Sequence, residues 1–184
     1  AASSPKRHRN PFPQIPSRKT PSPPPSSITS SIWDQYTCKS FYCLDRQNPN
    51  LGFEPLRDAS KFNSYKSDLD LPTHQLFQIA KAVKLVIWLG LDVGSDIGSF
   101  ASTMKLQHVT VVTTTMNVAG PNNEAVALRG LVSLHVPHQQ QLPLFDGVVD
   151  LVRCGRAVNR WISVTVLEFL LFDADRVMRG GGYL

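Results

Sequence analysis

The sequence predicts an α/β fold built on a doubly wound, mostly parallel β-sheet, and three observations lead to this prediction. Short apolar or β-branched runs of strand length recur through the second half of the 184-residue chain. Segments with apolar residues at helical spacing separate these runs. A glycine-bearing turn, residues 94–98, follows the most apolar run. Strands that alternate with helices are typical of Rossmann-like domains, whose ligands bind at the carboxyl ends of the strands.

The composition divides the chain into three segments. Residues 1–30 hold eight of the 14 prolines and five Lys or Arg residues but no acid, which predicts a disordered, Pro/Ser-rich basic tail. Residues 31–71 mix aromatic residues with turn formers and show no sustained period, so we predict an irregular N-terminal layer that packs on the main domain. Residues 72–184 carry the alternating pattern and form the predicted Rossmann-like domain.

The regular elements of the last segment follow from period and composition. Strands are predicted at 85–93, 108–115, 131–136 and 148–152, with a fifth that begins at Tyr183. Helices are predicted at 72–83, around Phe100, at 120–130 with Asn122 as its cap, and at 164–178, where Gly180–Gly182 would end the helix. Asp173, Asp175, Arg176 and Arg179 are interpreted as a solvated charged face.

Charge and hydropathy exclude several classes of protein. The basic tail accounts for the pI of about 9.3, because the remaining 14 basic residues equal the 14 acidic ones. A folded part with balanced charge argues against a nucleic-acid-binding surface. The longest apolar run, residues 85–91, is far shorter than the roughly 20 residues of a membrane-spanning helix. The first residues lack the apolar core of a signal peptide, so we expect no membrane span and favour an intracellular localisation.

The three cysteines form no metal-binding pattern. Cys38, Cys43 and Cys154 include no CxxC pair, and His135 with His138 has no acid or cysteine beside it in sequence, so no metal site is predicted. We expect all three cysteines to be ordinary thiols, with a Cys38–Cys43 bridge as the alternative.

Four segments in order resemble the class I S-adenosylmethionine-dependent methyltransferases, and more closely a plant family of methyltransferase-like proteins. They are LGLDVGSDIGSF (89–100), VTVVTTTMNVAGPNNEAVALRGLVSLHV (109–136), QLPLFDGVVDLV (141–152) and LEFLLFDADRVMRGGGYL (167–184). The segment CKSFYCL (38–44) is also similar to the amino-terminal region of that plant family. Several motifs with natural spacing are far more specific than a glycine turn alone.

The resemblance implies that the chain binds S-adenosylmethionine at the carboxyl ends of its strands. In that family the glycine turn faces the methionine part of the cofactor, the end of the second strand faces the ribose, and the loop before the fourth strand faces the adenine. The residues placed there are Asp92, Gly94, Ser95, Asp96 and Gly98 in the glycine turn, Thr115 and Asn117 at the ribose, and His138 and Leu142 at the adenine.

This sequence departs from the family pattern at several positions. Asp96 replaces the middle glycine of the turn, where its carboxylate would crowd and repel the carboxylate of the cofactor. Residues 109–120 contain no acid to accept the ribose hydroxyls, and His138 stands where many members have aspartate. The sixth and seventh strands of the family are missing, which implies an incomplete class I fold. The open edge of the fourth strand would then favour self-association.

The sequence supports two main functional hypotheses and a third that ranks below them. The first is an S-adenosylmethionine-dependent methyltransferase whose acceptor, a small molecule or a protein, is unknown. Methyl transfer is a direct displacement that depends on orientation, so no catalytic acid or base is predicted. The alternative is a non-catalytic methyltransferase-like scaffold or interaction module that has lost cofactor binding. An oxidoreductase that uses NAD ranks last, because the G-x-G-x-x-G spacing is not met.

Overall fold

The computed structural model describes residues 31–47, 62, 71–95, 97–117, 119–137, 139–155 and 162–184. The tail predicted at 1–30 lies outside these residues. The described strands are β1 (Leu89–Val93), β2 (Thr110–Thr115), β3 (Val132–His135), β4 (Val149–Cys154) and β5 (Met178–Tyr183). The described helices are α1 (Phe41–Gln47), α2 (Thr73–Ala82), α3 (Ser99–Lys105), α4 (Asn122–Leu128) and α5 (Val164–Val177). Among them, no helix is both long and apolar enough to span a bilayer.

The described strands form one parallel sheet in the order β3-β2-β1-β4-β5. β1 is central: Leu91 lies beside Val112 of β2 on one side and Val152 of β4 on the other. The predicted α/β, Rossmann-like class with a parallel sheet is confirmed. The chain runs outward from β1 to β3 and then returns to β4, so the strand order reverses at β1, where such sheets open a crevice at their carboxyl edge.

Both faces of the central strands are buried, which explains their nearly continuous apolar sequences. On one face, α5 packs its buried residues on the sheet: Leu170, Ala174 and Val177 cluster with Leu91, Val93, Val112, Val149 and Val152. On the other face, α2 and α3 supply the cover: Leu76, Ala80, Phe100, Ala101 and Met104 cluster with Ile87, Val109, Val111 and Leu151.

The N-terminal layer contains a helix and packs over the start of α4. Ile97, in the glycine turn, and Ala125, of α4, share an apolar cluster with Trp33, Cys38, Phe41 and Leu44. The backbone N–H of Ile32 donates to the Glu124 carboxylate at 3.1 Å. A Cβ added at Gly120 would lie 2.6 Å from Leu44 Cδ1, so a side chain there would force Leu44 to shift. The layer therefore rests directly against the glycine turn.

A buried carboxylate joins the amino ends of β1 and β4. Asp150 Oδ2 accepts the backbone N–H groups of Trp88 (2.6 Å) and Leu89 (2.9 Å). Its Oδ1 lies 2.7 Å from Arg179 Nε, and Arg179 also donates to the Val86 carbonyl at 3.0 Å. Asp150 is 3% exposed, so it places a paired charge inside the amino edge of the sheet.

The structure corrects the prediction for the fifth strand. β5 begins at Met178, not at Tyr183, and the three glycines lie within the strand instead of ending a helix. β5 pairs with β4 through Val149 and Met178 and, after an irregularity, through Leu151 and Tyr183. The expected unpaired edge of β4 is therefore wrong. A strand rich in glycine is weakly specified by sequence, because glycine has no side chain to pack.

Two element boundaries also differ from the prediction. β1 begins at Leu89 instead of residue 85, because Lys84 has a positive φ of 57° and the chain reaches the sheet only after Trp88. Asn122 is the first residue of α4 and not its cap, since its Nδ2 donates to the Met116 carbonyl at 3.0 Å.

Cys38 and Cys43 form a disulfide, so the expectation that all three cysteines are thiols is wrong. The chain turns before Phe41, where α1 begins, and this turn brings the two Cα atoms to 5.5 Å, a separation that a disulfide spans. Cys154 is the free cysteine.

Candidate functional site

The glycine turn after β1 is held against the end of β2. Gly94 and Gly98 have positive φ values of 69° and 76°, a conformation that favours glycine. The N–H of Gly94 donates to Thr114 Oγ1 at 2.9 Å, and the N–H of Ser95 donates to the Thr114 carbonyl at 3.0 Å. A Cβ added at Gly98 would lie 3.0 Å from Leu131 Cδ1, so a side chain there would also crowd the turn.

A cavity opens beside this turn at the carboxyl edge of the sheet. Its volume is about 300 Å³ including the solvent at its mouth. The residues that line it are Val93, Thr114, Val136, Pro137, Gln140, Leu142, Phe169, Leu170 and Asp173. Six of the nine lining residues are apolar, and Thr114, Gln140 and Asp173 contribute polar groups.

The acid of the glycine motif is paired with a base from β4. Asp92 is fully buried, and its Oδ1 accepts from Arg153 Nη1 at 2.6 Å. The Arg153 guanidinium lies 5.0 Å from the ring centroid of Phe62 and 5.1 Å from that of Phe100. Asp92 thus ties the ends of β1 and β4 together.

The free thiol stands beside this ion pair. Burial raises the pKa of the Cys154 thiol, and the negative charge of Asp92 raises it further, while Arg153 acts in the opposite direction. A raised thiol pKa favours the protonated form, so Cys154 lacks the thiolate character of a nucleophile.

The two residues predicted at the ribose contact α4. Thr115 Oγ1 donates to Asn123 Oδ1 at 3.3 Å, and Thr115 is fully buried. Asn117 Oδ1 accepts the backbone N–H of Asn123 at 2.9 Å. These hydrogen bonds organise the first turn of α4, which is the role expected of a capping side chain.

A loop before β4 forms the far wall of the cavity and is bound to α5. Asp173 Oδ2 accepts the backbone N–H of Leu142 at 2.6 Å, and Arg176 Nη2 donates to the Leu142 carbonyl at 2.9 Å. Hydrogen bonds with Asp146 and Asp173 raise the pKa of the Arg176 guanidinium, so it carries a fixed charge. Asp173 and Arg176 therefore belong to the site, and their interpretation as a solvated surface is wrong.

The chain is similar to a protein of Arabidopsis thaliana named probable methyltransferase, with 58% identity over 175 residues. The aligned residues are 94% of this chain. The resemblance to plant methyltransferase-like proteins is confirmed. The chain spans about half the length of this relative, 46%. No family model and no solved structure matches the chain.

The nine predicted cofactor residues do not all lie at the cavity. Leu142 lines the cavity, and Gly94, Ser95 and Gly98 form the turn at its edge. Asp92 is buried in its ion pair, beneath the turn. Thr115 and Asn117 are hydrogen-bonded to α4. Asp96 and His138 lie outside the described residues.

Sequence reasoning missed Thr114, Arg153, Asp173 and Arg176. Thr114 is one of three consecutive threonines, and nothing in the sequence distinguishes the one that contacts the turn. Arg153 ends an apolar strand at the same edge as Asp92, and the opposite charges of these two residues were a signal that could have been used. The role of Asp173 depends on a loop more than 30 residues away in sequence, which a helical period does not indicate.

Proposed function

We propose that this chain carries the cofactor-binding part of an S-adenosylmethionine-dependent methyltransferase. The main support for the proposal is the open cavity at the carboxyl edge of the sheet, where the strand order reverses. The cavity lies beside the glycine turn, in which Gly94 and Gly98 have positive φ values. The similarity to a protein named probable methyltransferase supports the same activity. The acceptor, whether a small molecule or a protein, is left open by this proposal.

The described residues fit the nucleoside part of such a cofactor. Val136, Pro137 and Leu142 offer apolar surface to a planar base, and Thr114 and Gln140 supply polar atoms to its edge or to the ribose.

In this proposal the chain contributes binding and orientation. When bound, S-adenosylmethionine would supply a methyl group on a sulfonium, which an acceptor nucleophile would take as the carbon–sulfur bond breaks and S-adenosylhomocysteine leaves. The glycine turn allows the backbone to approach the ligand, and Asp92 with Arg153 holds the ends of β1 and β4 at a fixed spacing beneath it. Such positioning lowers the entropy cost of bringing donor and acceptor together, without a group that moves a proton.

Calorimetric titration of the chain with S-adenosylmethionine, S-adenosylhomocysteine and NAD tests the proposal. We expect heat of binding with the first two ligands and none with NAD. Gly94→Ala should weaken binding by about tenfold or more, since it strains the turn where the ligand approaches. Gly130→Ala is the matched control, because Gly130 has a similar φ of 67° at the amino edge of β3. Equal affinities of the two variants would contradict the assigned site.

Asp96→Gly is a second variant for the same titration. Asp96 lies outside the described residues, so the reason is the sequence alone: a carboxylate in the glycine turn repels the carboxylate of the cofactor. We expect the glycine variant to bind several-fold more tightly, about 1 kcal/mol. Tight binding by the unmodified chain with no gain in the variant would refute the idea that Asp96 weakens the site.

The alternative function is a non-catalytic scaffold that has lost cofactor binding. It is favoured by the hydrogen bonds that engage the side chains of Asp92, Thr115 and Asn117 within the chain. The same titration separates the two functions, because a scaffold would give no heat with either sulfur ligand while still unfolding cooperatively. Heat with NAD alone would favour an oxidoreductase.

A further inference from the structure

One end of the cavity is closed by the loop of residues 137–147. Among its described residues, few hydrogen bonds form within the loop itself. Within residues 137–147, the N–H of Gln140 donates to the Pro137 carbonyl and that of Leu144 donates to the Leu142 carbonyl. Pro137 and Pro143 have no N–H to donate. Among the described residues of this loop, the other hydrogen bonds come from α5, about 30 positions away in sequence.

Two side chains of α5 hold Leu142 by both of its backbone polar groups. Asp173 accepts its N–H at 2.6 Å and Arg176 donates to its carbonyl at 2.9 Å, while Arg176 Nε and Asp173 Oδ1 are 2.7 Å apart. Arg176 Nη1 extends the contact to the Leu144 carbonyl (2.9 Å) and to Asp146 (2.6 Å). We refer to Asp173 and Arg176 as the Leu142 clamp.

The clamp is part of the cavity wall as well as a support for it. Leu142 and Asp173 are each 7% exposed, and both line the cavity with Leu170 of the same helix. Asp173 and Leu142 are buried, so breaking the hydrogen bond between them, or that from Arg176 to the Leu142 carbonyl, would leave a buried polar group unsatisfied. The position of the Leu142 side chain is thereby fixed before a ligand enters.

We propose that Asp173 and Arg176 are positioning residues that set the nucleobase end of the cavity. This inference rests on the proposed function and deepens it. Asp173 occupies the Leu142 N–H, so that N–H does not serve the base, and Leu142 presents an apolar surface to it. The base is then recognised at this end by its shape and by apolar contact. Gln140 and Thr114 supply the polar groups that distinguish one base from another.

The test uses Asp173→Asn and Arg176→Gln, with Asp175→Asn as the matched control on the exposed side of the same helix. Amide hydrogen exchange is measured without ligand, and affinity for adenosine and S-adenosylhomocysteine is measured by calorimetry. Both clamp variants should exchange Leu142 and residues 144–148 about tenfold faster, with β1 and β4 unchanged. Both should bind the two nucleoside ligands about tenfold more weakly, whereas Asp175→Asn should match the parent chain.

The possible outcomes distinguish the positioning role of the clamp from the proposed function. Unchanged exchange in residues 142–148, or unchanged nucleoside affinity in both clamp variants of a chain that binds, overturns the positioning role. Faster exchange spread evenly over β1 and β4 shows a merely structural role and overturns it as well. If the parent chain binds neither nucleoside ligand, the proposed function and the nucleobase assignment both fail, whereas the exchange result still decides whether the clamp positions the loop.

Discussion

At the scale of single residues, buried charges are the main feature of this chain. Asp92, Asp150 and Asp173 are each at most 7% exposed, and each is paired with an arginine that is partly exposed. Burial makes an unpaired carboxylate costly, whereas a guanidinium that reaches solvent loses little when its partner is removed. The two members of each pair should therefore respond differently to substitution.

The Asp92–Arg153 pair provides a direct test of this asymmetry. Arg153→Met should lower the free energy of unfolding by about 3 kcal/mol, because it removes the cation from a fully buried carboxylate. The double variant Asp92→Asn, Arg153→Met should recover most of that loss. Urea unfolding of the parent, Arg153→Met and the double variant measures both effects, with Arg46→Met as a control on the exposed end of α1. A double variant no more stable than Arg153→Met would contradict this account.

At the scale of elements, periodicity predicted four strands of the sheet well and the fifth poorly. β1, β2 and β4 have nearly continuous apolar or β-branched sequences because both faces are covered. All three overlap their predicted ranges, although β1 begins four residues later than predicted. β5 was predicted five residues late, because Gly180–Gly182 match the signal for the end of a helix. The clamp joins residues that no local period connects, so the sequence did not predict it, whereas the Cys38–Cys43 bridge was the alternative that the cysteine spacing left open.

The disulfide defines the N-terminal layer as an element. Replacing Cys38 and Cys43 with serine should lower the free energy of unfolding by about 2 kcal/mol, the amount expected for a short closed loop. Part of the effect should appear locally, as faster amide exchange in α1 and around Ile97, which share one apolar cluster. Cys154→Ser keeps the bridge and is the control. Identical unfolding midpoints for the parent and the double serine variant would show that the bridge does not stabilise the layer.

At the scale of the whole molecule, the described sheet has two edge strands, β3 and β5. Several large apolar side chains are also exposed, among them Phe145 and Phe172. An edge strand presents unpaired backbone groups that another chain can use, and charged residues on an edge discourage such pairing. The middle of β5 has only glycine at Gly180–Gly182 and no charge there.

We therefore expect the chain to self-associate through β5. Light scattering after size-exclusion chromatography should give a mass above 20.4 kDa at the concentrations used for calorimetry. Gly180→Lys should shift the chain toward the monomer, since lysine on an edge strand opposes pairing and a Cβ at this position meets nothing within 4 Å. Gln107→Lys adds the same charge away from both edges and should leave the mass unchanged. A monodisperse parent monomer would refute the prediction.

The Asp150 contacts at the amino edge of the sheet have a consequence for how this chain can change over time. β1 separates those contacts from the glycine turn by about 13 Å, the length of four extended residues. Substitutions at that distance with no shared partners act additively on the free energy of unfolding. Stabilising substitutions near Asp150 or Arg179 therefore offset destabilising substitutions at the cavity. The residues at the cavity can then change toward a new ligand while the free energy of unfolding of the chain is maintained.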